Sequence, residues 1–148
     1  PPTMYDVVKV IHSYWAYLVF VMLVIAAFNA LIKFFGKKEF HAVDFRISLF
    51  TLIVTHIQVL IGIVLFFVSN YISIISDIGM GKVMKDETLR SNIIEHPFAM
   101  ILAVVFITMG YSKHKKKLTS NSKFKMLAIF YTLALILVLA KIPWNVWF

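Results

Sequence analysis

Residues 45–70 read FRISLFTLIVTHIQVLIGIVLFFVSN, an apolar run in which Arg46 is the sole fixed charge. A bilayer core of ~30 Å is crossed by about 20 predominantly apolar helical residues. The stretch therefore predicts a transmembrane helix over about 45–70. Working outward, the same criterion predicts spans over about 7–35, about 93–111 and about 124–142. The first and third connections are short, so successive helices are expected to run antiparallel. The expected fold is an all-α membrane protein, a four-transmembrane-helix up-down bundle forming one integral membrane domain over residues 1–148. The first span does not read as a cleavable signal: its apolar run is too long, and neither a basic leading segment nor a small-residue cleavage site flanks it.

Composition agrees. The chain is 61% hydrophobic and 15% charged, against roughly 45–50% and about 25% in soluble proteins. Cysteine is absent, which excludes disulfides, thiolate metal sites, iron–sulfur clusters and covalent c-type haem attachment.

The net charge of +8 is unevenly placed. The first and third connections and their flanks hold Lys33, Lys37, Lys38, Arg46, Lys113, Lys115, Lys116, Lys117, Lys123 and Lys125 against Glu39 and Asp44. The other side holds Lys9, Lys82, Lys85, Arg90 and Lys141 against Asp6, Asp77, Asp86, Glu87 and Glu95, which cancel. By the positive-inside rule the basic side is cytoplasmic, so both termini are expected to be periplasmic in a bacterial inner membrane. The KHKKK run at 113–117 is then a topology signal or an anionic-lipid contact, and a nucleic-acid partner is not expected. Trp144 and Trp147, with Tyr14, Trp15 and Tyr17, read as an outer aromatic belt. The long middle connection, 71–92, mixes Ile72, Ile74, Ile75, Ile78, Val83 and Met84 with Gly79 and Gly81. It reads as a segment in the interface or over the bundle mouth, and the third helix has a candidate start near Asp86, Glu87 and Thr88.

Ionisable side chains at membrane depth are costly and mark functional sites by default. His12 lies about 8 Å inside the outer edge of the first span, and His96 about 5 Å inside the third, at 1.5 Å per residue. In an up-down bundle these helices can face each other diagonally, as a bis-imidazole haem site requires. Ala99 and Ala103 stand one and two turns below His96, and Ala16 one turn below His12. Small residues there suit a flat ring, with Trp15, Phe20, Phe98 and Met100 as candidate packing. Arg90 and Lys141 are candidate partners for the propionates. Pro97 removes a backbone donor and is expected to kink the helix, freeing the Ile93 carbonyl. The bland alternative is two interfacial histidines snorkelling to water, with alanines permitting close helix packing. A metal or quinone site is a further alternative.

His56 sits deeper, in a THIQ stretch with Gln58 and with Gly62 nearby. Readings for it are an interhelical hydrogen bond (to Asn29, Tyr131 or Thr132), a quinone headgroup contact, a proton-relay step or an alternative axial ligand. His41 and His114 read as solvated surface residues. Glu95 reads as a helix N-terminal acid, or as a group orienting His96. No HExxH, Ser/His/Asp order, Gly-rich phosphate loop or di-iron carboxylate cluster is present, which leaves hydrolase and phosphoryl-transfer functions without residues.

HSYW (His12 to Trp15), THIQ running into IG (Thr55 to Gly62), EHPFAM (Glu95 to Met100), GYSK (Gly110 to Lys113) and KIPW (Lys141 to Trp144) occur in order. Together they make the chain resemble small four-helix bacterial membrane proteins labelled b-type cytochromes, over nearly its whole length. The resemblance implies a haem-associated membrane protein with His12, His56 and His96 at the matching histidine positions. The functional expectations are electron transfer through non-covalent haem b near the periplasmic face, with a quinone pool or a larger respiratory complex as partner. The alternatives are a non-catalytic subunit of a membrane complex, or a quinone- or metal-binding protein centred on His56 and Gln58. Homo-oligomerisation is compatible with each.

Overall fold

A computed structural model describes residues 1–144. The chain runs α1 (Met4–Phe35), α2 (Ala42–Val68), α3 (Tyr71–Ile78), α4 (Met80–Lys85), α5 (Glu87–Leu89), a π-helical turn (Arg90–Glu95), α6 (His96–Lys115) and α7 (Ser120–Lys141). Four helices are long and apolar enough to cross a bilayer: α1, α2, α7 and the continuous run Glu87–Lys115. They form an up-down bundle in the order α1, α2, α6, α7, so α1 and α6 face each other diagonally. The protein is an all-α membrane bundle.

The third span starts earlier than its apolar residues, at Glu87. The Asp86 carboxylate accepts from the Leu89 backbone N–H at 3.0 Å, satisfying one of the free donors of a helix start. Ten residues on from Glu87, Pro97 cannot donate to the Ile93 carbonyl, and the preceding turn widens instead: the His96 N–H donates to the Ser91 carbonyl, five residues back. The expected kink is thus absorbed as a π turn. Between α2 and this span, Val83 is fully buried, while Ile72, Ile78, Met80 and Met84 are exposed. The apolar face they present outward suits an interfacial segment.

The core is built from small residues. Leu23, Ala26, Ala27 and Ala30 of α1 meet Leu127, Ala128, Tyr131, Ala134, Leu135 and Val138 of α7, with Ala103 and Ile107 of α6 joining them. These follow i, i+3, i+4 and i+7 spacing, one face of each helix. Without a hydrophobic drive between helices in lipid, close packing through small residues is the main source of association. At Gly110 a Cβ would stand 2.7 Å from the Phe130 Cβ, so α6 and α7 cross there only because the residue is glycine.

Polar groups lock the basic end. Asp44 is buried and paired with Lys33 at 2.6 Å and with the Asn29 amide at 2.9 Å, and it accepts from the His41 backbone N–H at 2.8 Å. It is therefore a clasp between α1 and α2, not a loop acid. The Tyr131 hydroxyl donates to the Ser48 carbonyl at 2.8 Å, tying α7 to α2. His114 departs from its expected solvated position: it is fully buried among Phe40, Phe45 and Tyr111. His41 is exposed. Of the two tryptophans near the end, Trp144 donates to the Leu139 carbonyl, while Trp147 lies outside the described residues.

Candidate functional site

The diagonal helices bring His12 and His96 together at the end of the bundle opposite the lysine-rich connections. Their ring centres are 6.4 Å apart and their planes are nearly perpendicular, at 86°. Two imidazoles bound on opposite sides of one metal, at about 2.0–2.1 Å per metal–nitrogen bond, put their ring centres roughly 6.3–6.4 Å apart. The same spacing also suits an edge-on ring contact.

Each ring is held differently. His96 Nδ1–H donates to the backbone carbonyl of Lys141, the last residue of α7, at 2.9 Å. A carbonyl only accepts, so this bond fixes the tautomer and leaves Nε2 with a lone pair for another group. His12 is seated against α2. A Cβ on Gly62 would come within 3.3 Å of His12 Cε1, so the glycine makes room for the ring's edge. One turn earlier on the same face, the Gln58 amide donates to the His12 backbone carbonyl at 2.8 Å. His12 Nδ1 and Gln58 Oε1 are both buried and without a hydrogen-bond partner among the described residues. An unpaired buried polar atom costs about 1–3 kcal/mol, and such atoms in a native fold call for an explanation. His12 Nδ1, a donor or an acceptor according to its tautomer, and the acceptor Gln58 Oε1 lie on one seam, where another atom or a small rearrangement would complete the pairing.

The other predicted site residues are close by but engaged. The Trp15 indole donates to the Val54 carbonyl at 2.8 Å, making it a clasp between α1 and α2. Arg90 and Lys141 grip the two oxygens of Glu95, at 2.8 and 3.0 Å. Glu95 is thus an ion-pair hub beside His96, and propionates would share these cations with it. Ala99 and Ala103 are buried, Ala103 within the core cluster, so their smallness serves close helix approach. Phe98 is 71% exposed and faces outward, away from the imidazole pair.

His56 does not join this constellation. Its Nδ1–H donates to the Leu52 carbonyl at 2.8 Å, and its Nε2 lies 3.3 Å from the Thr108 hydroxyl of α6. None of Asn29, Tyr131 or Thr132 is its partner: Asn29 is bound to Asp44, Tyr131 to Ser48, and the Thr132 hydroxyl is buried without a partner among the described residues. Nor do His56 and Gln58 act together. Two residues apart on a helix they point to different faces, Gln58 to α1 and His56 outward to α6. Among the described residues no group of three or more His, Cys, Asp or Glu side chains is placed to hold a metal ion. The sequence reading missed Gly62 as the seat of His12; its spacing of four from Gln58 was the available signal.

No family model, curated protein or solved structure matches the chain.

Proposed function

We propose that this chain is a b-type cytochrome-like electron-transfer protein, in which His12 and His96 hold one non-covalent haem b between α1 and α6. The observation that carries the reading is the imidazole pair: spacing suited to two ligands on one metal, with the His96 tautomer already fixed by the Lys141 carbonyl. Bound there, haem supplies one-electron exchange at a metal whose potential is tuned by its ligands and surroundings. The chain's own residues then have distinct tasks. Gly62 and Gln58 orient His12 from behind, Lys141 orients His96, and Arg90 and Lys141 offer cationic donors for propionates beside Glu95. The pool partner in this reading is a membrane quinone or a larger respiratory complex.

One set of contacts favours a second reading, a non-catalytic subunit of a membrane complex: Arg90 and Lys141 are satisfied by Glu95, and Ala103 is packed in the core. A dithionite-reduced minus oxidised absorption spectrum of the purified protein separates the two. A low-spin haem b signal at about one haem per chain is expected, and a spectrum without haem after expression with ample haem supply would leave the subunit reading.

For orientation, the proposal places the basic connections in the cytoplasm of a bacterial cell and both termini in the periplasm. Leu118 is 97% exposed in the α6–α7 connection. A cysteine introduced there (Leu118→Cys) should label with an impermeant reagent only after permeabilisation, and ready labelling of intact cells would invert the map.

A further inference from the structure

The seam between α2 and α6 is the sparsest in the ring of helices. It opens outward as a groove of about 430 Å³ lined by His56 and Val59 of α2 and by one face of α6, from Ile101 through Val104, Val105, Thr108 and Ser112 to Lys113 and Lys116. We propose that this groove binds one anionic diacyl phospholipid from the leaflet at the basic end, with its phosphate between Lys113 and Lys116 and one acyl chain along Val105 and Ile101. The inference is independent of the haem site.

Three tiers of chemistry carry it. At the mouth, Lys113 and Lys116 are exposed and have no acidic partner among the described residues. The nearby connections add only Glu39 and the internally paired Asp44 as acids, so this end attracts a negative headgroup. Basic pockets between transmembrane helices recognise anionic headgroups in this way. In the middle, Thr108 lies five residues from Lys113, ~7 Å along the axis, the depth of the glycerol esters below a phosphate. Its hydroxyl has a single proton, placed between the Val104 carbonyl at 2.8 Å and His56 Nε2 at 3.3 Å, so with His56 it marks a polar band at ester depth that the protein already engages. Deeper, the lining is purely aliphatic. From Lys116 to Ile101 the groove runs ~22 Å, comparable to half of a ~30 Å hydrocarbon core plus one headgroup layer. An uncharged quinone would fill the depth but give the lysine pair nothing to neutralise, so charge complementarity selects the phospholipid.

The test is lipid retention. The protein is reconstituted in vesicles of phosphatidylethanolamine with a minority of phosphatidylglycerol, re-extracted in mild detergent, and its bound lipid quantified by mass spectrometry. Phosphatidylglycerol should be retained in preference to its share of the vesicle. Lys113→Ala/Lys116→Ala should weaken that retention about 25-fold, on the order of fivefold per lysine, while Lys37→Ala/Lys38→Ala, elsewhere on the same end, should not. Val105→Trp, which fills the groove and leaves the charge intact, should also lose the lipid. Equal retention of both lipids, equal loss in both lysine variants, or retention by Val105→Trp would overturn the proposal. So would displacement of the lipid by an added naphthoquinone in the wild type but not in His56→Ala.

Discussion

The two imidazole sites differ in what their nitrogens are left to do. His56 has a neighbour for each: a carbonyl of its own helix for Nδ1 and a hydroxyl of α6 for Nε2. In the His12–His96 pair, one nitrogen of His96 is anchored to α7 while Nδ1 of His12 is buried without a partner among the described residues. Mere presence of histidine in a membrane span therefore says little. A histidine with both nitrogens engaged by protein ties helices together, whereas two rings with uncommitted nitrogens at one bundle end are available to a third party. Depth separates the sites as well. The His12 ring sits at the level of Gly62 and the His56 ring at that of Leu52, ten residues apart on α2, or ~15 Å.

The strongest test removes the uncommitted nitrogens. If the proposed haem is held there, His12→Ala or His96→Ala should abolish its low-spin spectrum, leaving no haem or a five-coordinate, high-spin form, because a proposed axial ligand is lost. His41→Ala, at an exposed loop position, should leave it unchanged. A normal low-spin spectrum in both pair variants would erase the distinction drawn between the two sites.

A smaller effect is expected from moving a ring without deleting it. Gly62→Val introduces side-chain atoms where even a Cβ comes within 3.3 Å of His12. Overpacking of this kind costs typically 1–3 kcal/mol, and misplacing a ligand through its supporting contacts lowers metal affinity about 10- to 100-fold. Haem titration of the variant should show weakened binding with a stability loss in that range. Unaltered affinity would mean that the His12 position is not what the site depends on.

His56→Ala should be milder. Interhelical hydrogen bonds in membranes average about 0.6 kcal/mol and reach about 1.7, so the melting temperature should fall slightly while haem content and spectrum persist. Loss of low-spin haem here would make His56 a ligand and reverse the comparison. The least effect is expected from Glu95→Gln, which loosens a half-buried ion-pair hub and leaves His96 held by the Lys141 backbone. Melting temperature and spectrum should be nearly unchanged, and a large spectral shift would show that Glu95 acts on the imidazole.

How far the sequence could be read follows from what each property depends on. The four spans depend on apolar length, which is local, and they were visible throughout. The wide turn before His96 was foreshadowed because Pro97 lacks a donor wherever it sits. The juxtaposition of His12 and His96 follows from matched depth on helices of the same direction. The partners of His56, the burial of Asp44 and the aromatic enclosure of His114 depend on how each helix is rotated about its axis. In a soluble helix, the polar face reveals that rotation. On α2, Asp44, Ser48, Thr51, Thr55, Gln58 and Gly62 recur at spacings of three and four and mark the face toward α1 and α7, whereas the remainder is apolar and nothing marked the side that meets α6. Asp44 was recoverable in principle: Asn29 and Lys33 are one turn apart on α1, and a short connection returns the chain beside them.

The wide turn at Arg90–Glu95 gives the site an unusual tolerance of chain length. A turn closed by bonds to the fifth residue back holds one residue more than an α-helical turn for the same single turn of rotation. Deleting a single residue such as Asn92 would let the turn close as an ordinary α-helical one, with the segments on either side keeping nearly the same relative rotation. The same deletion in the regular helix after His96 would turn everything beyond it by about 100°. A one-residue gap in this short stretch of an otherwise similar chain would therefore signal a straightened turn, with the end of the bundle still aimed the same way.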